Sequence, residues 1–198
     1  MLIEHVLVYW MGAFALMIYQ DQYILPNYEC VKNVLWNQLI VNPLLFICIF
    51  DFDHVTDGGG ALRIIFSFPF VYLIEELGFY WMHRLFHANR WLWNYHKVHH
   101  RWFDTYPYSA LDCHPIEHVW VNMLPLVLGP WLFSWTYTPT FLWFMLATLN
   151  TLKAHSFAAP NVRAHHALHH RHKNINYGLS MFTDFLFGTT IRNNDEFD

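Results

Sequence analysis

The sequence predicts an all-α integral membrane protein that carries a histidine-rich helical cap with a di-metal centre on its cytoplasmic side. Three features lead to this fold class: few charged residues, several long apolar stretches, and histidines grouped at helical spacing. Of the 198 residues, 55% are hydrophobic, 20% aromatic and 13% charged, whereas a soluble domain carries about 25% charged residues. So few charges leave too little polar surface for a soluble globule of this size. We expect a single domain, with N-terminal membrane helices over 1–62 and a histidine-rich core over 63–190.

Four or five apolar stretches approach the roughly 20 residues that a helix needs to cross a bilayer. The first lacks a basic N-terminal region and a small-residue cleavage site, which indicates a retained membrane segment rather than a signal peptide. The second contains three amide side chains and a proline and is predicted to be kinked or interfacial, and the third is interrupted by Pro69. The stretch Asp51–Gly60 is predicted to be a turn, and a tight connection around Thr138 predicts a helical hairpin. The stretches are Leu2–Tyr19, Val34–Phe50, Leu62–Trp81, Val119–Trp135 and Pro139–Leu152.

The basic residues predict the orientation of the chain. Nine of the eleven Lys and Arg residues lie in two segments, 82–118 and 153–198, which also hold most of the histidines. Because Lys and Arg accumulate on the cytoplasmic side of membrane proteins, both segments are predicted to face the cytoplasm. The membrane would be the endoplasmic reticulum in a eukaryote and the cytoplasmic membrane in a bacterium.

Charge and cysteine usage exclude several classes of protein. The net charge is −4, and the chain has neither a basic run nor a glycine-rich phosphate loop, so nucleic acid is not an expected partner. Cys30, Cys48 and Cys113 are odd in number and far apart. They predict neither a disulfide framework nor a thiolate metal site.

Histidines are concentrated between residues 83 and 172, which hold thirteen of the fifteen. The i, i+3, i+4 set that begins at His96 repeats in the set that begins at His166, and this spacing places three rings on one helix face. Neutral imidazole is the commonest protein ligand for iron, zinc and copper. One metal takes roughly four to six ligands, so a cage of nine predicts two metals. The nine candidate ligands are His83, His87, His96, His99, His100, His155, His166, His169 and His170.

Spacing alone leaves the choice of metal open. A cage of neutral ligands favours an oxidisable metal and oxygen chemistry, whereas a zinc hydrolase needs only about three protein ligands. His5 and His54 are predicted to have ordinary structural roles. His114 and His118, in HPIEH, either complete the cage or support it by capping the fourth membrane helix, and the second role is favoured.

Two carboxylates lie within the third apolar stretch, where ionisable groups usually have a function or a partner. Glu76 lies seven residues before His83, on nearly the same helix face. It is predicted to accept a hydrogen bond from a ligand histidine and thereby to orient that ring. Glu75 faces elsewhere and is predicted to pair with Arg84 or Arg63.

The motifs HRLFH, HKVHH and HHALHH, in this order and with membrane hairpins between them, resemble the fatty acid hydroxylase and sterol desaturase superfamily of membrane-bound di-iron oxygenases. EELGFYWMHR before the first motif, HPIEH after the second, and NINYG and TDFLFGT after the third extend the resemblance, which covers 75–189. Within the superfamily, TYPYSALDCHPIEHVWVNMLPLVLGP resembles the sterol C5-desaturase and C4-methylsterol oxidase branches, and the choice between them stays open.

One position departs from the superfamily pattern. Fatty acid 2-hydroxylase relatives carry a further HxxxH motif before the last triplet, and the matching stretch here is TLKAH, so Thr151 replaces the first histidine. Water, Asn150, His114 or His118 are the candidates for a tenth ligand.

The resemblance implies a chemistry as well as a fold. It implies two iron ions (Fe2+/Fe3+), O2 as co-substrate, and an electron donor such as cytochrome b5 or a ferredoxin. The substrate would be a sterol or a long-chain acyl lipid, which is hydroxylated or desaturated, and no catalytic side chain is implied beyond the metal ligands.

A non-catalytic or metal-binding membrane protein that retains the histidine cage is the alternative. A metal transporter needs ionisable residues within several spans, whereas the histidines here lie outside the predicted spans.

Overall fold

The computed structural model describes residues 2–21, 24–49, 60–156 and 165–191. All regular secondary structure in these ranges is helical, which confirms the all-α prediction. Most of the predicted turn at 51–60, together with His54, lies outside the described residues. The α-helices are α1 (Leu2–Tyr19), α2 (Tyr28–Trp36), α3 (Asn42–Ile49), α4 (Ala61–Ala88), α5 (Arg90–His96), α6 (Pro115–Glu117), α7 (Leu124–Leu132), α8 (Tyr137–Ala154), α9 (His165–His172) and α10 (Met181–Phe187).

Two stretches of π-helix interrupt the regular helices. One, Asn37–Val41, joins α2 to α3, and the other, His118–Met123, joins α6 to α7. The two are linked by a hydrogen bond of 2.7 Å between His118 Nε2 and Asn42 Oδ1, both of which are buried. The amide side chains that interrupt the second apolar stretch are therefore structural. Asn37, for example, donates to the carbonyl of Cys113 at 3.0 Å.

Helix α4 continues through Pro69 without a break, so the prediction that this proline interrupts the third stretch is wrong. The helix extends 28 residues to Ala88 and so carries His83 and His87 on the same rigid rod as the apolar stretch. Asn89 then ends α4 and begins α5, because its side chain accepts hydrogen bonds from the backbone amides of Trp91 and Leu92. This corner turns the following histidines back towards α4.

Helix α1 is apolar on both of its faces. Its inner face buries Tyr9, Ala13 and Met17 against α2, α8 and the segment around Tyr108. The Tyr9 hydroxyl donates to the Tyr108 carbonyl at 2.7 Å and accepts from the Leu111 amide at 3.2 Å. Its outer face exposes five large apolar side chains at intervals of three or four residues: Ile3, Leu7, Met11, Phe14 and Ile18.

By length and apolarity, one continuous helix among the described residues is able to cross a bilayer, and it covers Tyr28–Ile47. The apolar part of α1, Ile3–Tyr19, is shorter than that test requires. The four or five spans expected from the sequence therefore stay a prediction.

Helices α4 and α7 cross at Gly129. A Cβ atom at this position would lie 2.9 Å from Val71 Cγ1 and 3.0 Å from Val71 Cα, so no side chain fits without a shift of α4. We expect Gly129→Ala to lower the free energy of unfolding, because overpacking costs about 1–3 kcal/mol and the helix propensity of alanine returns at most about 1 kcal/mol. Thermal unfolding of the purified variant measures this loss.

Gly60→Ala is the matched control, because nothing lies within 4 Å of a Cβ atom at Gly60. Equal unfolding midpoints for the two variants would contradict the close approach of α4 and α7.

Candidate metal centre

The nine predicted ligand histidines converge in two groups. In each group one nitrogen from every ring lies within 4.8 Å of the others, and all of the rings except His87 are buried. We call the first the five-histidine group and the second the four-histidine group. The five-histidine group contains His83, His87, His96, His100 and His169, and the four-histidine group contains His99, His155, His166 and His170.

The two groups do not follow the sequence triplets. His99 and His100 are neighbours on a 3-10 turn, yet they belong to different groups. In α9, His166 and His170 face the four-histidine group, whereas His169 is rotated towards the other one. The prediction that His96, His99 and His100 share one helix face is therefore wrong, because α5 ends at His96 and the other two rings lie on the 3-10 turn that follows.

In the five-histidine group the Nε2 atoms lie close together. His87 Nε2 is 2.8 Å from His96 Nε2, 3.0 Å from His169 Nε2 and 3.1 Å from His100 Nε2. His83 Nε2 is buried without a hydrogen-bond partner among the described residues, and the His83 ring lies 4.4 Å from the His169 ring.

The four-histidine group is centred on His99. Its Nε2 atom is 3.1 Å from His170 Nε2, 3.2 Å from His155 Nε2 and 3.5 Å from His166 Nε2. His155 stands directly after the last residue of α8, so the end of that helix delivers its ring to the group.

Backbone carbonyls fix the orientation and the tautomer of five of the rings. In each, Nδ1 lies within hydrogen-bonding distance of a carbonyl oxygen. A carbonyl oxygen only accepts, so Nδ1 carries the proton and Nε2 carries the lone pair. The bonds join His83 to Tyr177 (2.7 Å), His99 to Asp112 (3.3 Å), His155 to Thr151 (2.9 Å), His169 to Ile175 (2.6 Å) and His170 to Trp102 (2.9 Å).

This assignment makes two of the short contacts repulsive unless a cation lies between the rings. His99, His155 and His170 all carry their proton on Nδ1, so the contacts of 3.2 and 3.1 Å join unprotonated nitrogens. Two nitrogen ligands at roughly 2.1 Å from one ion, at a right angle to each other, lie about 3 Å apart. The residues present therefore fit a bound metal ion in this group.

Burial keeps these rings in the neutral form that binds metal. Burial lowers the pKa of His83 to about 4 and that of His155 to about 4. It also holds the pKa of His99 well below its usual value, with repulsion from His155 adding to the effect. Because a metal competes with the proton for the lone pair, rings that stay neutral at pH 7 bind it without first losing a proton.

Glu117, which was not among the predicted site residues, lies beside the five-histidine group. Its Oε1 atom is 2.8 Å from His96 Nδ1, a distance typical of an ion pair although the angle is not that of a hydrogen bond, and both side chains are at most 2% exposed. Burial raises the pKa of Glu117. A carboxylate beside the outer nitrogen of a ligand ring orients that ring and increases its basicity. The available signal was the position of Glu117 inside HPIEH.

Two further buried carboxylates support the cage and were also missed. Asp112 accepts hydrogen bonds from Arg101 Nε at 2.9 Å and Trp102 Nε1 at 2.7 Å. Asp184 accepts from the backbone amide of Tyr177 at 2.7 Å and lies 2.8 Å from His165 Nε2. Asp112 and Asp184 thus hold segments whose carbonyls orient ligand rings. Asp184 lies within TDFLFGT, a motif singled out by the resemblance.

Glu76 does not orient a histidine, so that prediction is wrong. Its buried carboxylate accepts from the Thr183 hydroxyl at 2.6 Å, the Ser180 hydroxyl at 2.9 Å and the Ser180 amide at 3.1 Å. It therefore anchors the start of α10 to α4.

The other candidate residues lie outside both groups. His114 caps α6, accepting from the Ile116 amide at 3.1 Å, and His118 bonds to Asn42, so both have the supporting role that was favoured. Asn150 and Thr151 line a cavity in contact with both groups. The Thr151 carbonyl accepts a hydrogen bond from His155 Nδ1. The four-histidine group has one histidine fewer than the five-histidine group.

This cavity, which we call the metal-centre cavity, borders rings of both histidine groups. Rings of both groups form one side of it. Helices α4 and α8 and the residues Gly178 and Leu179, which precede α10, contribute to the rest. Its lining includes Phe79, His83, His96, His99, Val121, Asn122, Asn150, Thr151, His155, His166, Gly178 and Leu179.

Comparison with known proteins agrees with the motifs. A family model described as fatty acid hydroxylase matches residues 68–189. The chain is similar to "Fatty acid hydroxylase domain-containing protein 2" of Homo sapiens, with 37% identity over 170 residues, 81% of this chain and 51% of that protein. It is also similar to "Delta(7)-sterol 5(6)-desaturase erg3B" of Aspergillus fumigatus, with 30% identity over 73% of this chain and 45% of that protein.

A "Putative methylsterol monooxygenase" of Dictyostelium discoideum is 30% identical over 66% of this chain and 50% of that protein. The chain spans about half the length of the curated relatives it matches. No solved structure matches it. The family model covers more than half of the chain. The similarity to a sterol desaturase and to a methylsterol monooxygenase confirms the resemblance to these two branches of the superfamily. The chain therefore belongs to the fatty acid hydroxylase family.

Proposed function

We propose that this protein is a membrane-bound oxidoreductase that hydroxylates or desaturates a sterol or another long-chain lipid with O2 at a di-iron centre. The observation that carries the proposal is the pair of Nε2–Nε2 contacts around His99, which need a cation between rings whose protons are held on the opposite nitrogen. The names of the sterol-enzyme relatives support a lipid substrate.

In the proposed reaction the protein binds the metal ions, orients the histidine rings and shields the reacting carbon from water. The nine histidines hold two iron ions, which supply the activation of O2 for attack on an unactivated C–H bond. Backbone carbonyls keep the rings oriented, and burial of the cage keeps bulk water from the reacting carbon. Electrons come from a donor such as cytochrome b5 or a ferredoxin.

The exposed apolar surface supports a position in the bilayer. The outer stripe of α1 and exposed side chains such as Phe66 and Phe70 on α4 would contact lipid tails. The distribution of the basic residues supports a position of the histidine cage on the cytoplasmic side, and the membrane would be the endoplasmic reticulum of a eukaryote or the cytoplasmic membrane of a bacterium.

Two measurements test the proposal. Purified protein is expected to contain about two iron ions per chain, measured by plasma mass spectrometry. Lipid mass spectrometry after expression in a host that lacks a sterol oxidase is expected to show a product heavier by one oxygen atom or lighter by two hydrogen atoms. Two bound metals without such a product would indicate the non-catalytic alternative, and about one metal per chain would contradict the di-metal centre.

A further inference from the structure

A second cavity adjoins the metal-centre cavity on the side away from the two histidine groups. We call it the inner cavity. The two share four lining residues: Phe79, Asn122, Thr151 and Leu179. The inner cavity lies between α1, α4, α8 and the π-helical stretch before α7, and much of its wall is apolar. Its apolar lining includes Leu111, Met123, Leu126, Phe144 and Ala147.

The inner cavity contains a buried carboxyl group without a protein partner. Glu75 lines it, is 9% exposed, and makes no hydrogen bond or ion pair with the described residues. The predicted partners are engaged elsewhere, because Arg84 donates to the Tyr80 hydroxyl at 2.9 Å and Arg63 to the Ser134 carbonyl at 3.3 Å. The prediction that either arginine pairs with Glu75 is therefore wrong.

Two imidazoles line the same space. His118 is fully buried, with Nε2 bonded to Asn42 and Nδ1 without a hydrogen-bond partner in the described part of the chain. His5 Nδ1 is likewise buried and unpaired there. Buried polar atoms nearly always have a partner, so His5 Nδ1, His118 Nδ1 and the Glu75 carboxyl give this cavity three polar groups that a ligand can satisfy.

The chemistry of the lining indicates which polar group of a ligand the inner cavity can bind. Carboxyl and neutral imidazole groups together offer both donors and acceptors, and a hydroxyl group both donates and accepts. Among the residues that the structure describes, no Lys or Arg lines the inner cavity, so an anionic headgroup would be buried there without a counter-charge. The apolar remainder of the wall suits the hydrocarbon part of a lipid.

We propose that the inner cavity binds the hydroxyl group of a neutral lipid alcohol, with Glu75 as its main partner. The inference rests on the proposed function, because it names the class of lipid that the metal centre oxidises. On α4, Glu75 lies one turn before Phe79 and two turns, about 12 Å along the axis, before His83. The Phe79 ring is 5.2 Å from the His83 ring, so the hydrocarbon would pass Phe79 towards the metals.

Equilibrium binding of tritiated lipids to the purified full chain tests this inference without O2 or an electron donor. Hexadecanol is compared with hexadecane, and cholesterol with cholestane. In at least one pair, the alcohol is expected to bind about tenfold more tightly than its hydrocarbon counterpart, as one buried hydrogen bond allows. Glu75→Leu should abolish this preference.

Two variants serve as controls. Glu75→Gln keeps a donor and an acceptor and should retain the preference. Glu29→Gln removes an exposed carboxylate that pairs with Lys32 at 2.9 Å, and it should also retain the preference. The inference is overturned if the wild type shows no preference in either pair, if Glu75→Leu keeps it, or if hexadecylamine binds more tightly than hexadecanol. Since none of these readouts needs oxidation, a failed binding test stays distinct from a failure of the proposed reaction.

Discussion

Replacing His99 with alanine is expected to empty the four-histidine group and leave the five-histidine group loaded. His99 Nε2 is the one nitrogen that contacts all three other rings of its group, at 3.1–3.5 Å. Iron content should fall from about two to about one per chain, and lipid oxidation by more than about 100-fold, since even a change beside a ligand costs 10–100-fold. Plasma mass spectrometry and product analysis measure the two effects.

His169→Ala should have the reciprocal effect on the five-histidine group, because His169 Nε2 lies 3.0 Å from His87 Nε2 and 3.1 Å from His100 Nε2. His114→Ala is the matched control. It removes a histidine outside both groups, which caps α6 and packs its ring 4.7 Å from that of Tyr95, at a cost of about 1 kcal/mol in stability and with no loss of metal. Full metal content and activity in both the His99 and the His169 variants would contradict the two-group centre.

Asp112→Ala is expected to destabilise the protein by about 2–3 kcal/mol. The carboxylate is fully buried and accepts from Arg101, Trp102 and Asn33, so its loss leaves the Trp102 and Asn33 donors unpaired and returns the Arg101 guanidinium, whose side chain is 34% exposed, to water. A hydrogen bond to a charged group contributes about 1.5–3 kcal/mol, and a donor left unpaired costs about 1–3 kcal/mol. Denaturant unfolding of the purified variant measures it.

Asp104→Ala is the control for that change. Asp104 also pairs with an arginine, Arg171, at 2.6 Å, but its side chain is 53% exposed. An exposed pair contributes about 0–1 kcal/mol. A similar loss of stability in both variants would mean that burial of Asp112 does not matter.

The elements that follow from local periodicity could be predicted from the sequence. Helix α1 covers the predicted residues, and the polar residues Gln20 and Asp21 follow its apolar run. The nine histidines that converge are the nine predicted ligands, eight of them chosen from their spacing and His155 from its place just after an apolar stretch. Their role as ligands stays a prediction until metal is measured.

The features that depend on tertiary contacts were not predictable. The split between His99 and His100 depends on a 3-10 turn whose direction is set by the packing of Asp112, thirteen residues beyond His99. The partners of Glu76 lie 104 or more residues further along the chain, so helical spacing pointed to the nearer His83 instead. The hydrogen bond between His118, in the second π-helical stretch, and Asn42, directly after the first, joins residues that are 76 positions apart in the sequence.

The use of backbone carbonyls to orient the rings has a consequence for how such a chain can diverge. A carbonyl oxygen is present whatever side chain the residue carries, so orientation of the rings places no demand on residue identity at Thr151 or Ile175. Substitutions there can accumulate while the tautomer of each histidine is kept. A cage built in this way tolerates drift at the residues whose carbonyls orient its rings.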